Sequence, residues 1–240
     1  MPTISNAPIT NRLLAVLPGM QRERFLAACE PVTLEFATIL AEPGEPMHHV
    51  YFPIKSFISL VAQNNGRPSL EVAMIGNEGM LGVSLMLGID VSPLHALVQG
   101  TGAALRMDAD VFCRELEQSP ALHQILQRYL YVEMSQFAQT AACTRFHVVE
   151  ARLARWLLMT QDRAHSTSFH ATHAFLAYML GVRRVGITTA ATSLHHQRLI
   201  SYSRGYIKIL NRHGLEAISC SCYAADLASY DNVMGWHQTA

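Results

Sequence analysis

Hydrophobic and polar positions alternate over short runs between residues 31 and 107 of the chain. The runs are VTLEF, HVYFP, FISLVA, SLEVAMI, HALVQ and AALRM, separated by turn signals at Pro43-Gly44, Asn64-Asn65-Gly66, Gly76-Asn77 and Gly100. Asn65-Gly66 predicts a β-hairpin, because both central residues of that turn favour positive φ. Repeated short strands without intervening helices predict an antiparallel barrel or jelly roll of roughly eight strands.

On both sides of this segment, apolar residues instead recur every three or four positions, which is the period of a helix. Residues 11–30 predict a short helix, a Pro-Gly break and a second helical turn, and residues 108–117 predict another helix. Ser119-Pro120 is a helix start signal, with serine at the N-cap and proline at the first helical position. The stripe of the long helix that follows consists of Leu122, Leu126, Leu130, Met134 and Phe137. Such an apolar stripe either packs against the barrel of the same chain or pairs with the same helix of a second copy in a dimer.

The last third of the chain has the pattern of a helix-turn-helix with a wing. HVVEARLARWLLMTQDR predicts an amphipathic helix, AHSTSFHA a polar loop, and Thr172 a cap for the next helix. Ala177, Gly181 and Ile187 then have the spacing of a small residue, a turn glycine and a core anchor. LISYSRGYIKIL predicts two short strands around Arg204-Gly205, and the weakly patterned tail after CSCY is expected to be partly disordered.

Composition narrows the class of protein. Half of the residues are hydrophobic and 15% are charged, which is typical of a globular chain. The apolar runs are shorter than the ~20 residues that a bilayer span needs, so we expect no membrane partner. MPTISNAPIT lacks a basic region followed by an apolar core, and five irregularly spaced cysteines favour a reducing compartment. The predicted location is therefore the cytoplasm.

The net charge of zero conceals an uneven distribution. Residues 163–215 contain seven basic and no acidic residues, whereas the rest of the chain holds the other 11 basic and all 18 acidic residues. A compact positive segment on an otherwise acidic chain is the pattern expected for binding a polyanion.

Several segments, taken in order, carry a resemblance to a known family. They are GEPMHHVYFP, SLEVAMIGNEGMLGV, EARLARWLLMTQDR, the pair LAYMLGVRR and VGITTAATSL, and LISYSRGYIKIL. With them the chain resembles the Crp/Fnr family of bacterial transcription regulators. The resemblance implies an α+β protein with an N-terminal cyclic-nucleotide-binding-like jelly roll (12–118), a dimerisation helix and hinge (119–145), a winged helix-turn-helix (146–223) and a tail (224–240). It also implies a homodimer that binds a two-fold site on double-stranded DNA and acts through RNA polymerase.

The sensing chemistry departs from the familiar branches of that family. The cyclic-AMP cassette needs a glutamate and an arginine, but this chain has Leu81-Gly82-Val83-Ser84 and Val91-Ser92-Pro93-Leu94 there. A phosphate without arginine loses its bidentate partner, so cyclic AMP is disfavoured. Only Cys29 precedes Cys113, which leaves too few ligands for an N-terminal iron–sulfur cluster. The cofactor stays unidentified, and the candidate effector pocket comprises Glu71, Glu78, Gly82, Val83 and Ser92.

Alignment on the turn glycine assigns the DNA contacts. Arg184 matches the family arginine that contacts guanine, while Val185 and Thr189 replace the glutamate and the second arginine, so the operator is expected to differ. The alternatives for Arg184 are a phosphate contact or a solvated charge. Arg183 is assigned to phosphate, and the threonines to a thymine methyl or a phosphate. The full set of candidate DNA contacts is Arg183, Arg184, Thr188, Thr189, Ser203, Arg204, Tyr206 and Lys208.

The other chemically active residues do not form a recognisable site in the sequence. The histidine pairs His48-His49 and His195-His196 make poor chelates. The pair Cys220 and Cys222 has no second Cys or His pair after it, and Cys143 is interpreted as a small buried apolar residue. No metal site is therefore predicted. No phosphate-binding glycine loop, nucleophile elbow or HExxH motif indicates an enzyme. The alternative is a non-enzymatic scaffold with a protein-binding jelly roll and non-specific nucleic-acid affinity.

Overall fold

The N-terminal half of the chain is an antiparallel jelly roll. The computed structural model describes residues 11–63 and 69–235. Its strands here are β1 Glu30–Leu34, β2 Ile39–Ala41, β3 His49–Pro53, β4 Phe57–Ala62, β5 Leu70–Ile75, β6 His95–Gly100 and β7 Gly102–Asp108. They form two sheets, ordered β1-β7-β3 and β2-β6-β4-β5, so the described part has seven strands where roughly eight were expected.

The register of β4 and β5 agrees with the predicted hairpin. The two strands pair antiparallel down to Ala62 opposite Leu70. The turn itself, with Asn65-Gly66, lies outside the described residues, as does the N-terminal segment 1–10. Apolar side chains fill the space between the sheets, among them Leu34, Tyr51, Ile58 and Val98. The interior of the jelly roll is therefore an apolar core.

Three helices flank the jelly roll. They are α1 Arg12–Ala15, α2 Gly19–Ala27 and α3 Ala109–Gln118. Asp108 caps α3 by accepting hydrogen bonds from the backbone N–H groups of Asp110 and Val111, at 3.0 and 3.3 Å. The Phe25 ring packs edge to face against the rings of Phe52 and Phe112, which joins the flanking helices to the β1-β7-β3 sheet.

The long helix α4 spans Pro120–Phe146, 27 residues. Ser119 is the predicted N-cap and accepts a hydrogen bond from the Leu122 N–H at 3.2 Å. Leu122 and Leu126 are buried within this chain, Leu130 and Phe137 are half-buried, and Met134 is 60% exposed. The predicted stripe is therefore not one dimer seam. Positions four residues apart advance by ~400°, so the stripe rotates from the buried to the exposed side of the helix.

The tail is helical up to Met234, which corrects the prediction of partial disorder for that part of residues 224–240, while residues 236–240 lie outside the described part of the chain. Helix α8 spans Arg212–Ile218, and helix α9 spans Cys222–Met234 and lies along α4. The Gln136 amide of α4 donates to the Tyr230 hydroxyl at 2.9 Å. The buried face of α9 consists of Cys222, Tyr223, Asp226 and Tyr230. The sequence pattern is weak because tyrosines and an aspartate make up much of this face.

The C-terminal domain is a winged helix-turn-helix. Its elements are α5 Val149–Ala164, β8 Ser168–His170, α6 His173–Leu180, α7 Arg184–His196, β9 Ile200–Ser203 and β10 Tyr206–Ile209, followed by α8. The strands form a sheet in the order β8-β10-β9, so the segment predicted as a polar loop contributes a third strand. This domain and the jelly roll are the two parts of the predicted α+β fold. None of the helices in the described ranges combines the length and apolar character that a bilayer crossing requires.

Candidate nucleic-acid interface

The helix-turn-helix frame has the geometry that the spacing predicts. Thr172 caps α6 by accepting from the Phe175 N–H at 3.1 Å. Gly181 ends α6 with φ +63°, a left-handed conformation that favours glycine, and a Cβ there would lie 3.2 Å from the Ser69 carbonyl oxygen. Ala177 is buried and Ile187 is fully buried in the core of the domain. Helix α7 is thereby fixed against α6.

Helix α7 presents a continuous exposed face at its N-terminal end. Arg183 is its N-cap and Arg184 its first residue, and both are exposed. Val185 is 69% exposed, although it is apolar. The opposite face of the helix is buried and consists of Ile187, Ala190, Ala191 and Leu194. This end of α7 is therefore free to enter a groove.

The two threonines of this face are also exposed, but their hydroxyl protons are engaged. Thr188 Oγ1 donates to the Arg184 carbonyl at 3.1 Å, and Thr189 Oγ1 donates to the Val185 carbonyl at 3.1 Å. In these rotamers each hydroxyl oxygen can still accept a hydrogen bond, and each side chain keeps a methyl group. The geometry suits an apolar contact better than hydrogen-bond donation to phosphate.

The wing is a two-residue hairpin. Arg204 and Gly205 have φ of +51° and +82°, as the central residues of a type I′ turn require. The register pairs Tyr206 with Ser203, so the loop contains these two residues alone. Ile207 and Ile209 are buried, whereas the four predicted contact residues are exposed: Ser203, Arg204, Tyr206 and Lys208.

The positive charge of this face is not neutralised by nearby carboxylates. Of the seven basic residues in 163–215, Arg163 pairs with Glu78, and Arg212 pairs with Asp162 and Glu216. Within the described ranges, no ion pair involves the remaining five, which are Arg183, Arg184, Arg198, Arg204 and Lys208. All five are exposed and lie on α7, the wing or the loop between them.

Sequence reasoning missed a cluster of rings that joins the two helices to the wing. Tyr202 of β9 lies 5.1 Å from the His173 ring and 5.4 Å from the His195 ring, measured between centroids. Burial, the largest effect, and the nearby Arg184 lower the pKa of His173. Its Nδ1 is 3.2 Å from Thr188 Oγ1. Tyr202 lies two residues after the buried Ile200 and therefore on the same face of β9, so the alternation of ISYS could have indicated that its ring faces the helices.

The candidate effector glutamates face the winged helix-turn-helix domain. The buried side chain of Glu78 forms a 2.7 Å ion pair with Arg163 of α5. The buried carboxylate of Glu71 accepts a 2.6 Å hydrogen bond from the Ser59 hydroxyl. It lines a small cavity shared with α4, α5 and α6. Burial, opposed in part by that hydrogen bond, raises the pKa of Glu71 to about 7.

The other three candidates of the effector pocket have separate surroundings. Gly82 has φ +101°, and a Cβ there would lie 2.8 Å from Met47 Sδ and from Val50 Cγ1, so packing alone requires glycine. Val83 is buried in the apolar core. The Ser92 hydroxyl donates to the Leu94 carbonyl at 2.6 Å and thus stabilises its own turn. A pocket shared by all five residues stays a prediction.

The cysteines of the CSCY segment do have partners, which corrects the interpretation based on the sequence. Cys143, His147, Cys220 and Cys222 come together at the C-terminal end of α4. The second pair precedes CSCY in the chain instead of following it. The hydrogen bond with Cys220 is the largest effect that lowers the pKa of Cys143 to about 4, while the pKa values of Cys220 and Cys222 are raised. Cys143 is therefore not only an apolar core residue.

Comparison with known proteins identifies this architecture. Residues 151–218 match the family of Crp-like helix-turn-helix domains. Comparison of the sequence with curated proteins gave no significant match. Among solved structures, a transcriptional regulator of the Crp/Fnr family from Thermus thermophilus has 19% identity and a TM-score of 0.66, over 79% of this chain and 98% of that chain.

Two further structures agree. The first is a structure from Eubacterium rectale that is assigned to the Crp/Fnr family of transcriptional regulators. It has 15% identity and a TM-score of 0.68, over 86% of this chain and 97% of that chain. The c-di-GMP responsive regulator CLP of Xanthomonas campestris has 17% identity and a TM-score of 0.65, over 79% and 98%. The chain therefore has the fold of these Crp/Fnr regulators, and residues 151–218 match the Crp-like helix-turn-helix model, which agrees with the fold that the resemblance implied.

Proposed function

We propose that this protein is a sequence-specific, DNA-binding transcription regulator of the Crp/Fnr type. The observation that carries the proposal is the exposed face of α7 and the wing, where five basic side chains have no acidic partner in the described part of the chain. A helix of this kind enters the major groove with its N-terminal residues against the base edges. In that arrangement the wing lies against the phosphate backbone.

Arg184 is the residue proposed to recognise a base. It is the first residue of α7, and its guanidinium has the fork geometry that matches guanine O6 and N7. The methyl groups of Thr188 and Thr189 extend the same face and suit a thymine methyl. Arg183, Ser203, Arg204, Tyr206 and Lys208 are proposed to contact phosphates, which sets the position on the duplex without selecting a sequence.

The proposed homodimer uses the side of α4 opposite α9. The exposed residues of that side recur every three or four positions and are Gln127, Tyr131, Met134, Ala138 and Ala141. Tyr131 and Met134 are each 60% exposed despite their apolar surface. A second copy packed on this face would bury them and give the two-fold symmetry that a palindromic operator needs. Control of transcription would then act through RNA polymerase in the cytoplasm.

The proposed signal reaches the DNA-binding domain through its contact with the jelly roll. The apolar interior and the absence of a cassette arginine argue against a cyclic nucleotide as that signal. The Glu78–Arg163 pair and the Glu71 cavity lie between the sensing and DNA-binding domains. A ligand or partner that alters either contact would change how α6 and α7 are presented.

Fluorescence anisotropy with two duplexes tests the proposal. One duplex carries the region upstream of the protein's own gene, the other a scrambled sequence of the same composition, and both are titrated over a series of salt concentrations. A regulator binds the first duplex more tightly at every salt concentration, and both affinities fall as salt rises. Equal affinities for the two duplexes at every salt concentration would instead favour the scaffold with non-specific affinity.

A further inference from the structure

Four metal-binding side chains meet where the long helix ends. Cys143 lies in the last turn of α4 and His147 directly follows that helix, while Cys220 precedes α9 and Cys222 begins it. The four ligand atoms all lie within 4.8 Å of one another. The three cysteines are buried and the histidine is half-buried. In the described residues, no other group of three or more His, Cys, Asp or Glu side chains converges in this way.

The distances fit one tetrahedral ion. Cys143 Sγ is 3.5 Å from Cys220 Sγ, and Cys222 Sγ is 3.4 Å from His147 Nδ1. These two distances are opposite edges of the tetrahedron that the four ligand atoms form. In a tetrahedral zinc site with Zn–S bonds of ~2.3 Å, two sulfur atoms are about 3.8 Å apart. An iron–sulfur cluster spreads its ligands over several irons, so a group this compact suits a single ion better.

The surroundings supply the charge that such a site needs. Three thiolates and a neutral imidazole around Zn²⁺ carry a net charge of −1. Arg152 and Arg155 are both buried, and each interacts electrostatically with Cys143 and Cys220. Arg152 donates to the Leu180 carbonyl of α6, and Arg155 pairs with Asp226 of α9 at 2.6 Å. Because Asp226 offsets Arg155, Arg152 is the cation left to balance a bound zinc–thiolate group.

We propose that Cys143, His147, Cys220 and Cys222 bind one Zn²⁺ ion in a structural Cys₃His site. Three thiolates and a histidine with no open position are a donor set typical of structural zinc. The ion displaces the thiol protons into solvent as it binds. It connects the end of α4, just before the DNA-binding domain, to the helix that follows that domain. The bound ion would therefore crosslink the two segments that border the DNA-binding domain.

Metal analysis of the full chain tests the site. The protein is purified anaerobically with a non-thiol reductant from cells grown with zinc, and its zinc content is measured by mass spectrometry. We expect about one zinc per chain in the wild type and a loss of at least fivefold in Cys143→Ser, Cys220→Ser, Cys222→Ser and His147→Gln. Cys113→Ser is the matched control, because this thiol lies in α3, and it should keep the wild-type content.

Cobalt gives a second measurement that does not depend on the folding of a variant. Reduced wild-type protein titrated with Co²⁺ should develop intense tetrahedral d–d bands and a thiolate charge-transfer band, saturating at one equivalent. Equimolar Zn²⁺ should then remove both. Six-coordinate, weakly absorbing cobalt would refute the site, as would a wild type that takes up neither ion.

Two other results would also overturn the proposal. Zinc retained in all four ligand variants would place the metal elsewhere. A Cys143–Cys220 disulfide in protein whose thiols were trapped in intact cells would identify the cluster as a redox pair instead. Metal content is measured without DNA, so failure of this proposal leaves the proposed regulator function untouched, and the reverse also holds.

Discussion

Arg163 of α5 and Glu78 of the jelly roll form a buried ion pair, with Arg163 Nη2 2.7 Å from Glu78 Oε1. Their side chains are 9% and 11% exposed. Glu78 also accepts a hydrogen bond from the Gly76 N–H at 3.1 Å, which holds the carboxylate in place. The pair therefore links the jelly roll to the winged helix-turn-helix domain through two buried side chains.

Removing one partner of this ion pair should lower the free energy of unfolding strongly. Glu78→Gln leaves the guanidinium of Arg163 buried without a counter-charge, which typically destabilises a protein by about 3–5 kcal/mol. Urea unfolding at pH 7 measures the difference. The matched control is Glu115→Gln, which removes the more exposed pair with Arg24 and should cost no more than about 1 kcal/mol. Equal losses in the two variants would contradict the interdomain role of the Glu78 pair.

Glu71 should make stability depend on pH. Its pKa is raised from 4.5 to about 7, so the folded protein holds a proton that the unfolded chain has released between these values. The contribution of Glu71 to the free energy of unfolding is therefore highest below pH 4.5. It falls by about 3 kcal/mol in all as the pH rises to 7. Glu71→Gln should be more stable, relative to wild type, at pH 8 than at pH 5. Urea unfolding at the two pH values measures this, and parallel pH profiles would show that Glu71 titrates normally.

Arg184→Ala and Arg204→Ala should weaken DNA binding in different ways. The first removes a proposed base contact and should reduce discrimination between operator and scrambled DNA by roughly 1–3 kcal/mol. The second removes a proposed phosphate contact and should weaken binding to both duplexes alike. Anisotropy titrations at fixed salt separate these effects. If Arg184→Ala lowered both affinities equally, a phosphate contact would be the better assignment.

Met134→Glu should dissociate the proposed dimer without unfolding the chain. Met134 is exposed on the side of α4 opposite α9, so a glutamate there is solvated in the monomer but would be buried against its own copy. Sedimentation velocity should show a shift from dimer to monomer, with an unchanged far-UV spectrum. Arg114→Glu on α3 is the control and should stay dimeric. A monomeric wild type, or a variant that stays dimeric, would reject this surface as the interface.

Cyclic AMP should leave the melting temperature unchanged. The cassette lacks the arginine that holds the phosphate, and Met47 and Val50 pack directly against Gly82. A ligand at 100 times its Kd would stabilise the protein by about 2.7 kcal/mol, which a thermal melt detects easily. A saturable rise with cyclic AMP, absent with 5′-AMP, would show that the jelly roll binds this nucleotide.

Short-range features were predictable from the sequence alone. The caps Ser119 and Thr172, the turn at Gly181 and the Arg204-Gly205 hairpin each depend on the φ or hydrogen-bonding preference of a few neighbouring residues. The alternating strands and the helical periods indicated the α+β fold for the same reason. These local preferences are strong enough to act without tertiary contacts.

Tertiary structure decided which side of each element is used. Helices α3 and α9 and the jelly roll cover α4, so the side of α4 left for a partner is not the one that its leucines suggested. The chain also brings His147 next to Cys222, residues distant in sequence. Arg212 belongs to the basic segment, but Asp162 and Glu216 neutralise it. Charges, ligand sets and buried faces depend on distances between remote residues, and sequence spacing carries no information about those distances until the chain has packed.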